Sequence, residues 1–162
     1  MVLEIRRLGN PVLRYPAPET EFDPAELKTI IQDMTETLQS VKGLGLAGPQ
    51  VGVLKRVFVY DLGDGVEVLL NPKIVWESAE TDEDTEGCLS IPGREVTVRR
   101  CVAIKVEGRD AAGELKTIDA EGLMARMFQH EIDHLNGLMI IDRTSEEERR
   151  AVLKDMIRED RQ

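Results

Sequence analysis

Two histidines four residues apart, with a glutamate between them, are the side chains best suited to chemistry in this chain. They form His130-Glu131-Ile132-Asp133-His134, inside the stretch AEGLMARMFQHEIDHLNG from Ala120 to Gly137. On an α-helix, residues i and i+4 lie one above the other on the same face, so both imidazoles can reach one metal ion. Glu131 stands one step round the helix, where its carboxylate can reach a water at that ion. HExxH also occurs by chance on solvated surface helices. Three features argue for a metal here. These are the only two histidines in the chain, their flanks are apolar, and a third candidate ligand lies upstream.

A catalytic site of this kind keeps three protein ligands and one open position. With no further histidine, the third ligand must be Cys, Asp or Glu. Cys88, in Glu86-Gly87-Cys88-Leu89-Ser90, is the best candidate, because it ends a polar stretch beside a glycine that lets backbone approach a metal closely. The bland reading of Cys88 is a small buried hydrophobe. That bland reading is the preferred one for Cys101, in the strand-like CVAIKVEG.

The elements that must hold these groups follow from pattern. Leu123, Met127, His130 and His134 form one stripe, and Phe128, Ile132 and Leu135 a second beside it, which predicts a buried helix ending at Gly137. Residues 1–22, with Pro11, Pro16 and Pro18, read as an irregular wrapping arm. Asp23-Pro24-Ala25-Glu26 is a helix start, and Leu27, Ile30, Ile31, Met34 and Leu38 carry the helix to about Val41. Residues 43–50 are glycine-rich. Residues 56–61 and 66–71 read as a hairpin, 77–85 as an acidic solvated loop, and 95–106 and 115–118 as further strands. Ser145 with Glu148 three residues on opens a last helix, with Val152, Leu153, Met156 and Ile157 as its apolar face. The order predicts an α+β fold in one domain, 1–162, with mixed or antiparallel sheets around the HExxH helix.

Composition limits the function. At 162 residues the chain can bury a core without disulfides, and two cysteines do not make a disulfide framework. A net charge of −10 argues against general nucleic-acid binding and leaves room only for a local basic patch. No long apolar run predicts a membrane span, and MVLEIRRLGNP lacks the apolar core of a signal peptide, so a reducing cytoplasmic setting is expected.

Three segments, GLGLAGPQ (43–50), EGCLS (86–90) and QHEIDHLNG (129–137), resemble the signature motifs of the peptide deformylase family, in its order and approximate spacing. Similarity extends to NPVLR near the start, VGV after Gln50, SIPG after Cys88 and IDR after the third motif. The resemblance implies removal of formate from the N-formylmethionine of nascent proteins. It implies Cys88, His130 and His134 as metal ligands, with Fe²⁺ as the ion and Zn²⁺, Ni²⁺ or Co²⁺ able to substitute. Glu131 would move the proton, while the Gln50 side chain and the Leu89 backbone N–H would stabilise the developing oxyanion. For Gln50 the bland alternative is a surface amide. Leu44, Gly45 and Gly87 would pair with the peptide backbone. Leu123 and Met127, otherwise core, would accept the methionine side chain.

Two features depart from the family pattern. Position 48 is Gly where the family usually has Ala, which predicts a looser loop around Gln50. Residues 145–162 hold five Lys/Arg and six Asp/Glu, unlike the basic helix with which some members dock on the ribosome, so docking through this helix is not expected. Glu86 and Arg100 are expected to pair and brace the Cys88 loop, unless they are two unrelated surface charges. The competing readings are an HExxH metalloprotease, an inactive metal-bound regulatory or structural module, and a family member acting on another formylated substrate.

Overall fold

The computed structural model describes residues 1–161. After the N-terminal arm come α1 (Pro24–Val41), β1 (Gly45–Ala47), β2 (Val57–Tyr60), β3 (Glu67–Glu77), β4 (Thr81–Cys88), β5 (Ile91–Cys101), β6 (Ala103–Arg109), β7 (Leu115–Glu121), α2 (Gly122–Leu135) and α3 (Glu146–Asp160), an α+β order. Five antiparallel strands form one sheet in the order β1-β2-β3-β6-β7, and β4 and β5 form a separate two-stranded sheet. α1 starts as its cap dictates: the Asp23 side chain accepts the Glu26 N–H at 3.1 Å, and Pro24 takes a position where no N–H is needed.

Strand β2 sets the layers. Val57 and Val59 pack with Leu27, Met34 and Leu38 of α1, while Phe58 and Tyr60 pack with Phe128 and Ile132 of α2. Successive side chains of a strand point to opposite faces, so one fully buried strand holds a helix on each side. Phe128 meets Phe58 and Tyr60 edge-on, with centroids 5.4 and 5.0 Å apart. Burial of each of Phe128, Ile132 and Leu135 contributes roughly 1.5–3 kcal/mol, which fixes the rotation of α2 about its axis. A third cluster joins Leu13 of the arm, Ile91 and Val98 of β5, and Val152 and Met156 of α3.

Several expectations need correction. Residues 81–85 are strand, not loop: β4 pairs with β5, setting Asp82 opposite Arg100 and Glu83 opposite Arg99. Arg99 reaches Glu83 at 2.9 Å, and such opposite-charge pairs offset the repulsion that a run of acids suggests. Residues 95–106 are two strands in different sheets. The chain crosses at Val102, whose N–H donates to the Glu80 carbonyl and whose carbonyl accepts the Gly122 N–H. No glycine or proline marks that crossing, so the alternation reads straight through it. β3 runs on past Pro72 to Glu77, with a bulge and a left-handed Asn71 (φ 47°) absorbing the proline. The arm carries one 3-10 turn, Pro11–Arg14. Ile157 is 54% exposed and does not share the buried face of α3. Among the described residues no helix is long and apolar enough to cross a membrane.

Candidate active site

With one stripe of α2 against the five-stranded sheet, Met127, His130 and Glu131 turn into a cleft of about 860 Å³ between the two sheets. The helix stops cleanly below it. The Leu138 N–H donates to the Asp133 carbonyl and the Gly137 N–H to that of His134, a double closure that requires the left-handed Gly137 (φ 78°). A Cβ there would also lie 2.6 Å from the Arg14 carbonyl. Arg56 donates to the Leu135 carbonyl and to the Asn136 side chain, placing a cation at the negative helix end.

The third motif arrives from the other sheet. The register of β4 against β5 shifts between Gly87 and Cys88, and this irregularity presents Cys88 to the helix. Cys88 Sγ lies 3.3 Å from His134 Nε2, and one ligand atom from each of Cys88, His130 and His134 lies within 4.8 Å of the others. Tetrahedral bonds of about 2.3 Å to sulfur and 2.1 Å to nitrogen would set two such ligands roughly 3.6 Å apart, so the donor set fits a divalent ion of borderline softness. Burial pushes the His134 imidazole well below its ordinary pKa, keeping it in the neutral form that a ligand needs. Burial works against charge on His130 too, but hydrogen bonds with Cys88 and Glu86 outweigh it and raise that pKa.

Glu86 and Arg100 do pair, at 2.9 and 3.0 Å, both buried. The pair belongs to a larger network. Glu86 also contacts His130 Nδ1 at 2.9 Å and accepts from Arg126 at 2.7 Å, while Arg100 and Arg143 donate to Asp133. A carboxylate on the far nitrogen of a histidine fixes its tautomer and turns the other nitrogen toward a metal. Burial would raise the Glu86 pKa, but His130 and Arg100 outweigh it and hold the carboxyl at about 2, ionised. Arg126, Asp133 and Arg143 escaped motif reading. Arg126 stands four residues before His130 on α2, a spacing that shares its face, and is the one that pattern could have flagged.

The groups expected to act on a substrate surround these three. Glu131 is 3% exposed, and its Oε2 has no hydrogen-bond partner among the described residues. Burial pushes its carboxyl up to about 7. A Cβ on Gly45 would lie 2.9 Å from Glu131 Oε1, so this glycine is what lets the carboxylate rest against β1. Gln50 is buried, not a surface amide. Its Oε1 accepts the Ala47 N–H at 2.9 Å, and its Nε2 donates to Ser90 Oγ at 3.2 Å and lies 3.7 Å from Cys88 Sγ. The amide is therefore fixed with its N–H side toward the cysteine. Leu89 also lines the cleft, and no backbone carbonyl among the described residues accepts its N–H.

β1 lies at the edge of its sheet and β4 pairs only with β5, so two open strand edges flank the cleft. The Leu44 carbonyl accepts the Asp61 N–H. Hydrogen bonds alternate along an antiparallel strand, so Gly45 directs its N–H and C=O to the open edge while Leu44 turns its own toward β2. Leu44 contributes a side chain to the rim. Gly87 lines the opposite wall. Met127 is buried and lines the cleft, but Leu123, read as part of a buried stripe, is 60% exposed. The first turn of α2 projects at the cleft mouth beyond the sheet, so Leu123 is rim rather than core. Gly48 likewise departs from expectation. A Cβ there would lie 2.6 Å from the Val53 carbonyl, so the turn before Gln50 is tightly closed, not loosened.

The fold and cleft define an α+β hydrolase built on an HExxH helix with a candidate Cys-His-His metal site. A family model described as polypeptide deformylase matches residues 2–150, and the chain belongs to that family. The peptide deformylase of Dictyoglomus thermophilum is 45% identical over 147 residues, covering 91% of this chain and 95% of that one. The crystal structure of a peptide deformylase from Legionella pneumophila superposes with a TM-score of 0.92 at 36% identity, covering 99% of this chain and 96% of that one. That of the Ehrlichia chaffeensis enzyme in complex with actinonin gives 0.93 at 36%, covering 99% of each. Family membership favours deformylation over the metalloprotease and inactive-module readings.

Proposed function

We infer that this chain is a metal-dependent deformylase that releases formate from the N-terminal formylmethionine of newly made polypeptides. The observation that carries this reading is the convergence of three sequence motifs on one cleft, with Cys88, His130 and His134 offering ligand atoms within 4.8 Å of one another beside Glu131 and Gln50.

Cys88, His130 and His134 hold the ion, which we propose to be Fe²⁺, with Zn²⁺, Ni²⁺ or Co²⁺ able to replace it. That ion supplies Lewis-acid polarisation and makes hydroxide available near neutral pH. Glu131 takes the proton of the attacking water and delivers it to the amine nitrogen as the C–N bond breaks. A carboxyl near pH 7 suits both transfers. As the formyl carbon becomes tetrahedral, its oxygen gains charge and accepts hydrogen bonds from Gln50 Nε2 and the Leu89 N–H. Gln50 is held by Ala47 and Ser90 before the substrate arrives, so little reorganisation of that donor opposes the step. The peptide lies extended between the open edges of β1 and β4, pairing with backbone of Gly45 and Gly87, with Leu44 at the rim. Such pairing ignores side chains, as an enzyme for many nascent chains requires. The methionine side chain meets Met127 and, at the mouth, Leu123. We place the reaction in the cytoplasm, where nascent chains emerge, without docking on the ribosome through α3.

The test is formate release from formyl-Met-Ala-Ser by the Ni²⁺-loaded protein. Stoichiometric formate and free Met-Ala-Ser are expected, abolished by a chelator and restored by the ion. Cleavage at an internal peptide bond, with the formyl group retained, would point to the metalloprotease instead.

A further inference from the structure

Along the cleft the arginines are neutralised, while two carboxylates, Glu131 and Glu95, have no ion-pair partner among the described residues. Arg94 is neutralised by Glu159 of α3 at 2.8 Å, and its other nitrogen donates to the Pro92 carbonyl. Arg126 is neutralised by Glu86 and Asp82, each at 2.7 Å, and Glu86 also holds His130. Glu131 is buried at the back. Glu95 remains. It is exposed, lines the cleft, and has no ion-pair partner among the described residues.

Its position is specific. Glu95 stands opposite Gly87 in the β4–β5 register, and its Cγ lies 3.8 Å from where a Cβ on Gly87 would be. With no side chain at Gly87, nothing of that residue screens the carboxylate from the cleft. Gly87 directly precedes Cys88, and neighbouring Cα atoms are about 3.8 Å apart. An extended peptide advances about 3.3 Å per residue. A formyl group beside Cys88 therefore brings the second or third residue of the peptide past Glu95. Among the described residues no cationic side chain pairs with this charge. Backbone pairing along the walls leaves the side chains of those residues free to do so.

We propose that Glu95 is a specificity-determining residue, favouring formylated peptides with Lys or Arg at the second or third position and disfavouring Asp or Glu there. The inference rests on the deformylase reading. A single exposed-to-half-buried ion pair contributes about a factor of five at most, so this is a bias among nascent chains and not a gate.

The experiment compares kcat/KM for formyl-Met-Ala-Ser, formyl-Met-Lys-Ser, formyl-Met-Asp-Ser, formyl-Met-Ala-Lys and formyl-Met-Ala-Asp at low ionic strength. The proteins are wild type, Glu95→Gln and Glu95→Arg, each read relative to its own neutral peptide. In wild type, one of the two lysine peptides is expected to be roughly fivefold better than the neutral one and its aspartate counterpart correspondingly worse. The spread should shrink toward unity in about 1 M salt, where screening acts over about 3 Å. Glu95→Gln should remove it and Glu95→Arg reverse it. Calorimetric binding of the product peptides Met-Lys-Ser, Met-Asp-Ser, Met-Ala-Lys and Met-Ala-Asp should rank the same way, a readout independent of turnover. A lysine-to-aspartate ratio near one in wild type, or one unchanged in Glu95→Gln, would overturn this proposal while leaving deformylation intact. No formate from any peptide in wild type would overturn the deformylase reading and this inference with it.

Discussion

Glu131 places one carboxylate oxygen, Oε2, where nothing in the described structure satisfies it, while the other rests against the backbone of β1 at Gly45. A buried acceptor left open is costly, since its desolvation is not repaid, and it persists where it has a function. For Glu131 the proposed function is proton transfer. Glu131→Gln keeps the shape and the neighbours but removes the proton acceptor. It is expected to retain one metal ion per chain, measured by plasma emission, and to lose roughly 10²-fold or more in kcat, the usual scale for general acid–base catalysis. Near-wild-type kcat in that variant would remove Glu131 from the mechanism. Gln50 shows a different economy of design. Each end of its amide has a partner, Ala47 at the oxygen and Ser90 at the nitrogen, and because the Ala47 N–H can only donate, a flip would lose that bond and set two donors against each other.

At the scale of elements, α2 is set by three constraints: an apolar stripe against the sheet, the Glu86 network holding His130, and the closure at Gly137. The last is testable by stability alone. Gly137→Ala must place a Cβ at φ 78° and 2.6 Å from the Arg14 carbonyl. It should cost at least about 1 kcal/mol, a fall of about 2–4 °C or more in Tm for a chain of this size, measured by calorimetry. An unchanged Tm would mean that the arm and the helix end can move apart freely. The same elements show why pattern reading succeeds in some places and not others. Both long caps, at Asp23 and Ser145, and the helix closure at Gly137 are local, written in a few adjacent residues, and they stand where the pattern puts them. The crossing at Val102 is not local. It depends on Glu80 and Gly122, distant in sequence, and nothing in CVAIKVEG announces it. The acidic residues of β4 read as loop because their partners, Arg99 and Arg100, lie on another strand. Cys88 and the histidines could be joined from the motifs, but the roles of Arg126, Asp133 and Arg143 in orienting His130 and Arg100 needed the fold that brings them together.

The whole molecule carries a net charge of −10, and α3 does not counter it: residues 145–162 are slightly acidic. α3 is instead tied inward. Glu148 accepts from Thr144 and from the Thr97 N–H of β5, and Glu159 accepts from Arg94 and Arg7. The Thr144 hydroxyl first, then the Thr97 N–H, lower the Glu148 pKa below 4.5. A carboxyl with a depressed folded-state pKa adds stability above its unfolded value, and that stability is lost as pH falls through the folded one. The Tm of wild type should therefore exceed that of Glu148→Gln at pH 7, and the gap should close below about pH 4. A gap that persists in acid would assign it to packing and not to charge. The account as a whole turns on one metal ion, proposed to be held jointly by the β4–β5 sheet and α2, with Cys88 as the ligand from outside the HExxH helix. The most direct measurement is formate released from formyl-Met-Ala-Ser, together with metal bound per chain, on the same samples of wild type and Cys88→Ala. The account predicts one ion per chain and turnover in wild type, and loss of stoichiometric metal or of turnover in Cys88→Ala. Full metal content with full turnover in Cys88→Ala would contradict it.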